Sequence, residues 1–145
     1  MSCIATRATF GGVSVRDLQH RCNSERIGND DGTFVVEAMP EYGGCVEIRI
    51  SGEIDLANED RFAERLDECV IVPEWPSRWD FAPLHVFDLS QVSFLGVGGS
   101  RVIVRVAADL ARRGAGSEVR GMSRIQRRII ELLDDQGLVR SGPSA

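Results

Sequence analysis

Lysine is absent from this chain: all 17 basic residues are arginine. The absence removes Schiff-base chemistry and any phosphate loop built around a lysine. A GC-rich genome is the simplest account of the bias. Also missing is any apolar run near the ~18 residues that a membrane-spanning helix needs. Met1 to Phe10 holds no continuous apolar stretch and does not read as a secretory leader. Histidine is scarce, with only His20 and His85 present. Neither has a cysteine or acid at metal spacing, and neither belongs to a nucleophile–base pattern. Packing or exposure is the preferred reading of both, so no catalytic residue, metal ligand or cofactor is assigned. The four cysteines, Cys3, Cys22, Cys45 and Cys69, form no CxxC pair, which argues against a zinc or thioredoxin-type site. They are expected to be reduced thiols of a cytoplasmic protein, with Cys45 and Cys69 acting as small core hydrophobes.

What is present fits one globular domain. The chain has 145 residues, with 43% hydrophobic and 27% charged. A chain of this length can bury roughly 70% of its unfolded surface. The net charge of −5 argues against nonspecific binding to nucleic acid or to a membrane surface. The charge is unevenly spread: residues 1–95 hold 8 Arg against 17 acids, and residues 96–145 hold 9 Arg against 5 acids. The two parts are therefore −9 and +4.

Residues 1–33 are weakly patterned and read as an extension, with Phe10, Val13 and Val15 able to form a short extra strand. Phe34–Ala38 reads as a strand, Pro40–Gly44 as a turn, and Cys45–Ser51 as a second strand with Val46, Ile48 and Ile50 on one face. The pair predicts a hairpin with one covered face. Asn58 reads as the cap of a helix with Glu59 and Asp60 in its first turn. Its apolar stripe is Phe62, Leu66, Cys69 and Val70, and it must stop before Pro73. Residues 73–83 form an aromatic, proline-rich connection. Its Trp75, Trp79 and Phe81 either cap the sheet or helix edge, the preferred reading, or form an exposed partner patch.

Leu84–Leu89 is apolar on both faces, as a central parallel strand requires. A second helix, with Ser100 as its cap, runs to about Arg113 and turns Val102, Ile103, Val106, Ala107 and Leu110 inward. Gly114 and Gly116 end it. A short strand follows at Glu118–Gly121. Ser123 then caps a third helix with Ile125, Ile129, Leu132 and Leu133 inward. The order β-β-α-β-α-β-α, with room for a last strand near Leu138–Val139, predicts an α/β fold. Its mixed sheet of four to five strands carries helices mainly on one face.

Two features invite chemistry. Gly96-Val97-Gly98-Gly99-Ser100 follows a strand and opens a helix, so backbone N–H groups and the positive helix end converge there. It is half of a dinucleotide fingerprint, with Arg101 where the third glycine belongs and Glu118 as a candidate ribose acid. Repeated βαβ units are missing, and a plain tight turn is the preferred reading. The third helix carries Arg124, Arg127 and Arg128 near its start and Asp134-Asp135 near its end, both against the helix dipole. An Arg127–Glu131 pair offsets only a few tenths of a kcal/mol. A solvated face is the bland account; a contact surface for an acidic partner is the sharper one.

Together these segments resemble the STAS domain family, the bacterial anti-sigma factor antagonists. Ser51-Gly52-Glu53-Ile54-Asp55-Leu56-Ala57 is similar to the family's "GELDLAT" turn. Val86–Leu95 is similar to its "VVLDLSGVTFL" strand and loop, and Ser123–Leu138 to its closing "S…VRRLLELTGL" helix. The resemblance assigns residues 34–140 to a STAS-like domain, 1–33 to an extension and 141–145 to a tail. It implies a non-enzymatic regulator of transcription that binds an anti-sigma factor or a serine kinase-like regulator.

In the family the loop after "TFL" is Asp-Ser-Ser/Thr-Gly, and its first serine is phosphorylated by the partner. Here Gly96, Val97 and Gly98 stand at the Asp and the two hydroxyl positions, and only Gly99 is kept. The resemblance thus places the partner surface at Asp55, Asn58, Gly96, Val97, Gly98, Gly99, Ser100 and Arg101. It leaves Ser100 as the fallback phosphoacceptor and argues against phosphorylation at the usual position. A module binding nucleotide or another anion at the Gly96–Ser100 helix end is one alternative. A scaffold subunit that assembles with itself, as a homodimer, or with other STAS proteins is another.

Overall fold

The computed structural model describes residues 9–10, 13–14, 33–41, 45–70 and 84–142. The readings of His20, Cys3, Cys22 and the Trp75–Phe81 cluster lie outside the described residues. A two-stranded antiparallel ribbon joins β1 (Thr9–Phe10) to β2 (Val13–Ser14). The body of the fold then runs β3 (Phe34–Glu41), β4 (Cys45–Ile54), α1 (Glu59–Cys69), β5 (Leu84–Leu95), α2 (Val97–Arg112), β6 (Gly116–Arg120), α3 (Arg124–Leu133) and β7 (Val139–Ser141).

The five main strands lie in sequence order, β3-β4-β5-β6-β7. Only the β3–β4 pair is antiparallel; the next three pairings are parallel. Each parallel step moves one strand in the same direction, and such crossovers are right-handed. The three helices of the described residues therefore fall on one face of the sheet, as expected from the element order. That face is the core. Val36, Ile48, Phe87 and Val119 project into it from four strands and are at most 2% exposed. Phe62 and Leu66 of α1 and Ile103, Val106 and Leu110 of α2 close it from above. Phe62 meets Phe34 edge-on, with ring centroids 5.9 Å apart and planes at 86°. His85 is completely buried on this face, next to Ser117 in register, the packed one of the two placements expected of it.

The opposite face is charged, and its charges alternate across the sheet. Glu37 pairs in register with Arg49, Arg49 with Asp88, and Asp88 with Arg120. Opposite charges side by side favour this register and oppose a slip. Arg49 Nε donates to Glu47 at 3.2 Å and Arg120 Nε to Glu118 at 3.0 Å. These hydrogen bonds, with the charges of the neighbouring acids, push both guanidinium pKa values up.

Several boundaries differ from the sequence reading. Pro40 lies inside β3, paired with Val46, because β3 is an edge strand whose outer N–H groups need no partner. β5 runs six residues past Leu89. Its last part pairs with β4 alone after register shifts between Arg49 and Ser51 and between Gly52 and Glu53. There Ser90, Gln91 and Ser93 face solvent, so hydropathy hides the strand. Gly52 has φ 95°, and the Thr33 carbonyl occupies the space a side chain would need.

The largest correction concerns α3. Gln126 and Ile130 are its buried residues, whereas Ile125 is 73% and Leu132 65% exposed. Ile129 and Leu133 are half-buried. Ser123 does cap this helix: Gln126 N donates to its Oγ, and Gln126 Oε1 accepts from Ser123 N, a complete capping box. The Asp134 carboxylate accepts from Leu138 N at 2.9 Å and Val139 N at 2.8 Å. It thus shapes the turn into β7 rather than merely opposing the helix dipole.

Phe62 anchors α1 to the sheet, so Phe62→Ala is expected to cost about 3–5 kcal/mol. Ile125→Ser is expected to change stability by less than about 0.5 kcal/mol, since its side chain packs against little. Urea unfolding of the two variants at one pH checks the contrast.

Candidate functional site

Two connections meet at the C-terminal ends of β4 and β5. One is the turn from Asp55 to Asn58, and the other is the single residue Gly96 that links β5 to α2. Gly96 N donates to the Ile54 carbonyl at 2.9 Å, which ties the connections together. The first turn of α2 therefore stands directly against the β4–α1 turn.

Asn58 organises that turn. It is 3% exposed; its Oδ1 accepts from Asp55 N, and its Nδ2 donates to the Glu53 carbonyl and Thr33 Oγ1, all at 2.9 Å. Asn58 is the N-cap residue of α1, as expected, but its side chain makes no capping bond and serves as an internal pin instead. A side chain that satisfies three surrounding groups is costly to remove, because each is left without its partner. Asp55 is exposed, and its Oδ1 accepts from Ala57 N at 2.9 Å, a local turn of the kind aspartate favours.

The other connection also departs from expectation. α2 begins at Val97 with Gly96 as N-cap, and Ser100 lies inside the first turn. Ser100 is fully buried, and its Oγ donates back to the Gly96 carbonyl at 3.1 Å. Its hydroxyl is committed to the helix and faces no solvent. Gly99 is buried as well. A Cβ there would stand 2.7 Å from Leu95 Cδ1 and 2.8 Å from Ile54 Cγ2, so only glycine lets α2 sit this close to the sheet. At Gly98 the space of a side chain is filled by the Glu59 carboxylate. The acid comes from the first turn of α1 and lies beside the positive end of α2, where a negative charge is favoured.

The outward groups are Val97, 47% exposed, and Arg101, also exposed. The structure thus brings all eight sequence-predicted residues together. It presents Asp55, Val97 and Arg101, and it uses Asn58, Gly99 and Ser100 as interior supports. It also adds two residues that the sequence reading missed. Leu56 is 85% exposed beside Asp55, and Phe94 is 53% exposed, its ring edge 3.7 Å from where a Gly96 Cβ would stand. The available signal was an apolar residue inside an otherwise polar turn and an aromatic in a polar strand end. Leu56, Phe94 and Val97 form an exposed apolar patch around the α2 start. Single exposed apolar residues are ordinary, but three around one junction mark a surface that excludes water when covered. Among the described residues no group of three or more His, Cys, Asp or Glu is placed to hold a metal ion. Also among them, no helix is long and apolar enough to cross a membrane.

The two glycines of α2 make a discriminating pair. Gly98→Ala gains helix propensity of up to about 1 kcal/mol. It loses a comparable amount as the flexible Glu59 side chain swings into solvent, so the net change stays within about 1 kcal/mol. Gly99→Ala presses on Ile54 and Leu95 in the core and is expected to cost about 1–3 kcal/mol. Urea midpoints of the two variants check it; equal midpoints would contradict the packing described here.

The comparisons with known proteins agree with this architecture. No curated protein matches the sequence. An anti-sigma factor antagonist from Mycobacterium paratuberculosis superposes with a TM-score of 0.53 at 21% identity, covering 77% of this chain and 89% of that one. The anti-sigma factor antagonist SpoIIAA in its unphosphorylated form gives 0.52 at 12% identity, covering 74% of this chain and 88% of that one. The murine anion transporter Solute Carrier 26 family member A9 gives 0.53 at 16% identity, over 73% of this chain but only 17% of that protein. At these identities the likeness is one of fold. The profile of the STAS domain matches residues 38–141, most of the chain, and the protein belongs to the STAS domain family.

Proposed function

We propose that this STAS domain is a non-enzymatic regulatory protein whose partner docks on the junction of the β4–α1 turn and the α2 start. The partner class is an anti-sigma factor or serine kinase-like regulator, by likeness to the anti-sigma factor antagonists of the same fold. The observation that carries the reading is the exposed apolar patch of Leu56, Phe94 and Val97, set where the family has its switch loop. Val97 replaces the acceptor serine and has no hydroxyl, so phosphoryl transfer at that position is chemically closed. Ser100 is buried and bonded to Gly96, which disfavours it as a substitute acceptor. Binding is then constitutive, or controlled on the partner's side. An anion-binding role for the α2 start is disfavoured for a separate reason. The Glu59 carboxylate already lies there and would repel a second negative group.

The test compares wild type, Val97→Asp and Ser100→Ala against the anti-sigma kinases of the source genome, each purified and titrated by calorimetry. Val97→Asp adds a carboxylate at an exposed first helical position, where solvent screens its repulsion from Glu59 and the helix end favours it, so the fold tolerates it. It is expected to weaken binding at least about tenfold, roughly 1.4 kcal/mol. No phosphate is expected on wild type. Phosphate that disappears in Ser100→Ala overturns the constitutive reading. A folded Val97→Asp protein that binds as tightly as wild type removes the junction as the interface.

A further inference from the structure

α3 spends its residues in a way the fold does not require. Its buried side is narrow, with only Gln126 and Ile130 buried, and its start is secured by the Ser123–Gln126 capping box. Yet Ile125 and Leu132 point into solvent at 73% and 65% exposure. With half-buried Ile129 between them they stand at i, i+4 and i+7, one continuous stripe. Arg124 and Arg128 form the adjoining stripe; both are exposed, and among the described residues neither forms an ion pair. Arg127 differs, since its Nη2 donates to the Gly142 carbonyl at 3.2 Å and so serves the α3–β7 packing. Arginines in the first turn oppose the helix dipole, and exposed isoleucine and leucine stabilise little. Both features cost the isolated protein something and return nothing within it.

We propose that this outward face of α3 docks an acidic amphipathic helix of a partner protein. The i, i+4, i+7 apolar stripe is complementary to the same stripe on a second helix. Arg124 and Arg128 beside it select a partner with acids flanking its leucines, consistent with the excess of 9 Arg over 5 acids in residues 96–145. A second copy of this chain is a poor occupant. Its acidic helix, α1, has its apolar stripe of Phe62, Leu66 and Cys69 fully buried and offers none to α3. An anionic membrane is a poor occupant too. Stable attraction there takes a cluster of about 4–8 basic residues, and this stripe supplies two.

The probe is a display library of helical peptides with leucines fixed at i, i+4 and i+7 and flanking positions drawn from acidic, neutral and basic residues. It is selected on the full-length protein. Acid-flanked peptides are expected to enrich. Their affinity should fall at least about tenfold on Ile125→Ser/Leu132→Ser, and the preference should invert to basic-flanked peptides on Arg124→Glu/Arg128→Glu. Val97→Asp should leave the affinity unchanged, which separates this face from the α2 junction. Because all four α3 positions are exposed, the variants should stay folded, with a urea midpoint close to wild type for Ile125→Ser/Leu132→Ser and equal or higher for Arg124→Glu/Arg128→Glu. The proposal is overturned by no enrichment, by enrichment indifferent to flanking charge, or by peptides that bind the double variants as tightly as wild type. Sedimentation of wild type with phosphatidylserine vesicles, lost in Arg124→Glu/Arg128→Glu, would assign the face to membrane instead. A dimer abolished by Leu132→Ser would assign it to a second copy.

Discussion

The close seat of α2 on the sheet is the constraint on which the rest of the molecule depends. Gly99 has no side chain, so the first turn of α2 reaches Ile54 and Leu95 directly. That contact fixes the height of the helix over the core and brings Gly96 N to the Ile54 carbonyl. Once those two strand ends are joined, the β4–α1 turn has only one place to go. Asn58 holds it there with three hydrogen bonds made inward. The exposed patch of Leu56, Phe94 and Val97 is the outer surface of this construction. Its shape is therefore set by buried groups, and a change at Gly99 or Asn58 reaches the surface through the backbone.

The sheet divides two kinds of specification. On the helix side, close packing of Val36, Ile48, Phe87 and Val119 supplies most of the stabilisation, because apolar burial is the dominant favourable term. On the open side the register row Glu37–Arg49–Asp88–Arg120 supplies little energy, since opposite charges facing each other across exposed strands are worth about 0.2–1 kcal/mol each. Its contribution is to register. A one-residue slip would turn these charges into the core and the core residues out to water. The edge strands are treated similarly: Pro40 leaves the outer side of β3 one N–H donor short, and β7 is three residues long, so neither edge is a long flat template for another strand.

Much of the fold was legible in the sequence because its periods are strong. Val46, Ile48 and Ile50 alternate and are buried; Phe62, Leu66 and Cys69 repeat at helical spacing and are buried. The mixed sheet with its helices on one face followed from the order of elements. The failures share one cause, which is that burial depends on neighbours outside the local window. The end of β5 is a strand through pairing with β4 alone, so no hydropathy marks it. Ser100 looked like a cap because caps are often serines, yet the cap is Gly96, four residues earlier, and Ser100 lies buried in the first turn. Asn58 does stand at the N-cap of α1, yet its side chain bonds to Asp55, Glu53 and Thr33 rather than to the helix. Of the site, the family motifs located the junction; the roles of Leu56, Phe94 and Glu59 needed coordinates.

α3 is the sharpest disagreement between pattern and structure. Its sequence offers two overlapping apolar stripes, and only one of them, through Ile130, finds the core. A helix with isoleucines on both sides is ambiguous from sequence, because periodicity fixes the spacing of a face and not which face is inward. What settles the orientation here is polar: the Ser123–Gln126 capping box sets Gln126 inward, and the Arg127 bond to Gly142 holds the flank toward β7. With the helix turned this way, Ile125 and Leu132 have no place in the core. Their exposure is a consequence of how the ends of α3 are tied, so the apolar stripe and its two exposed arginines stay on the surface while those ties hold.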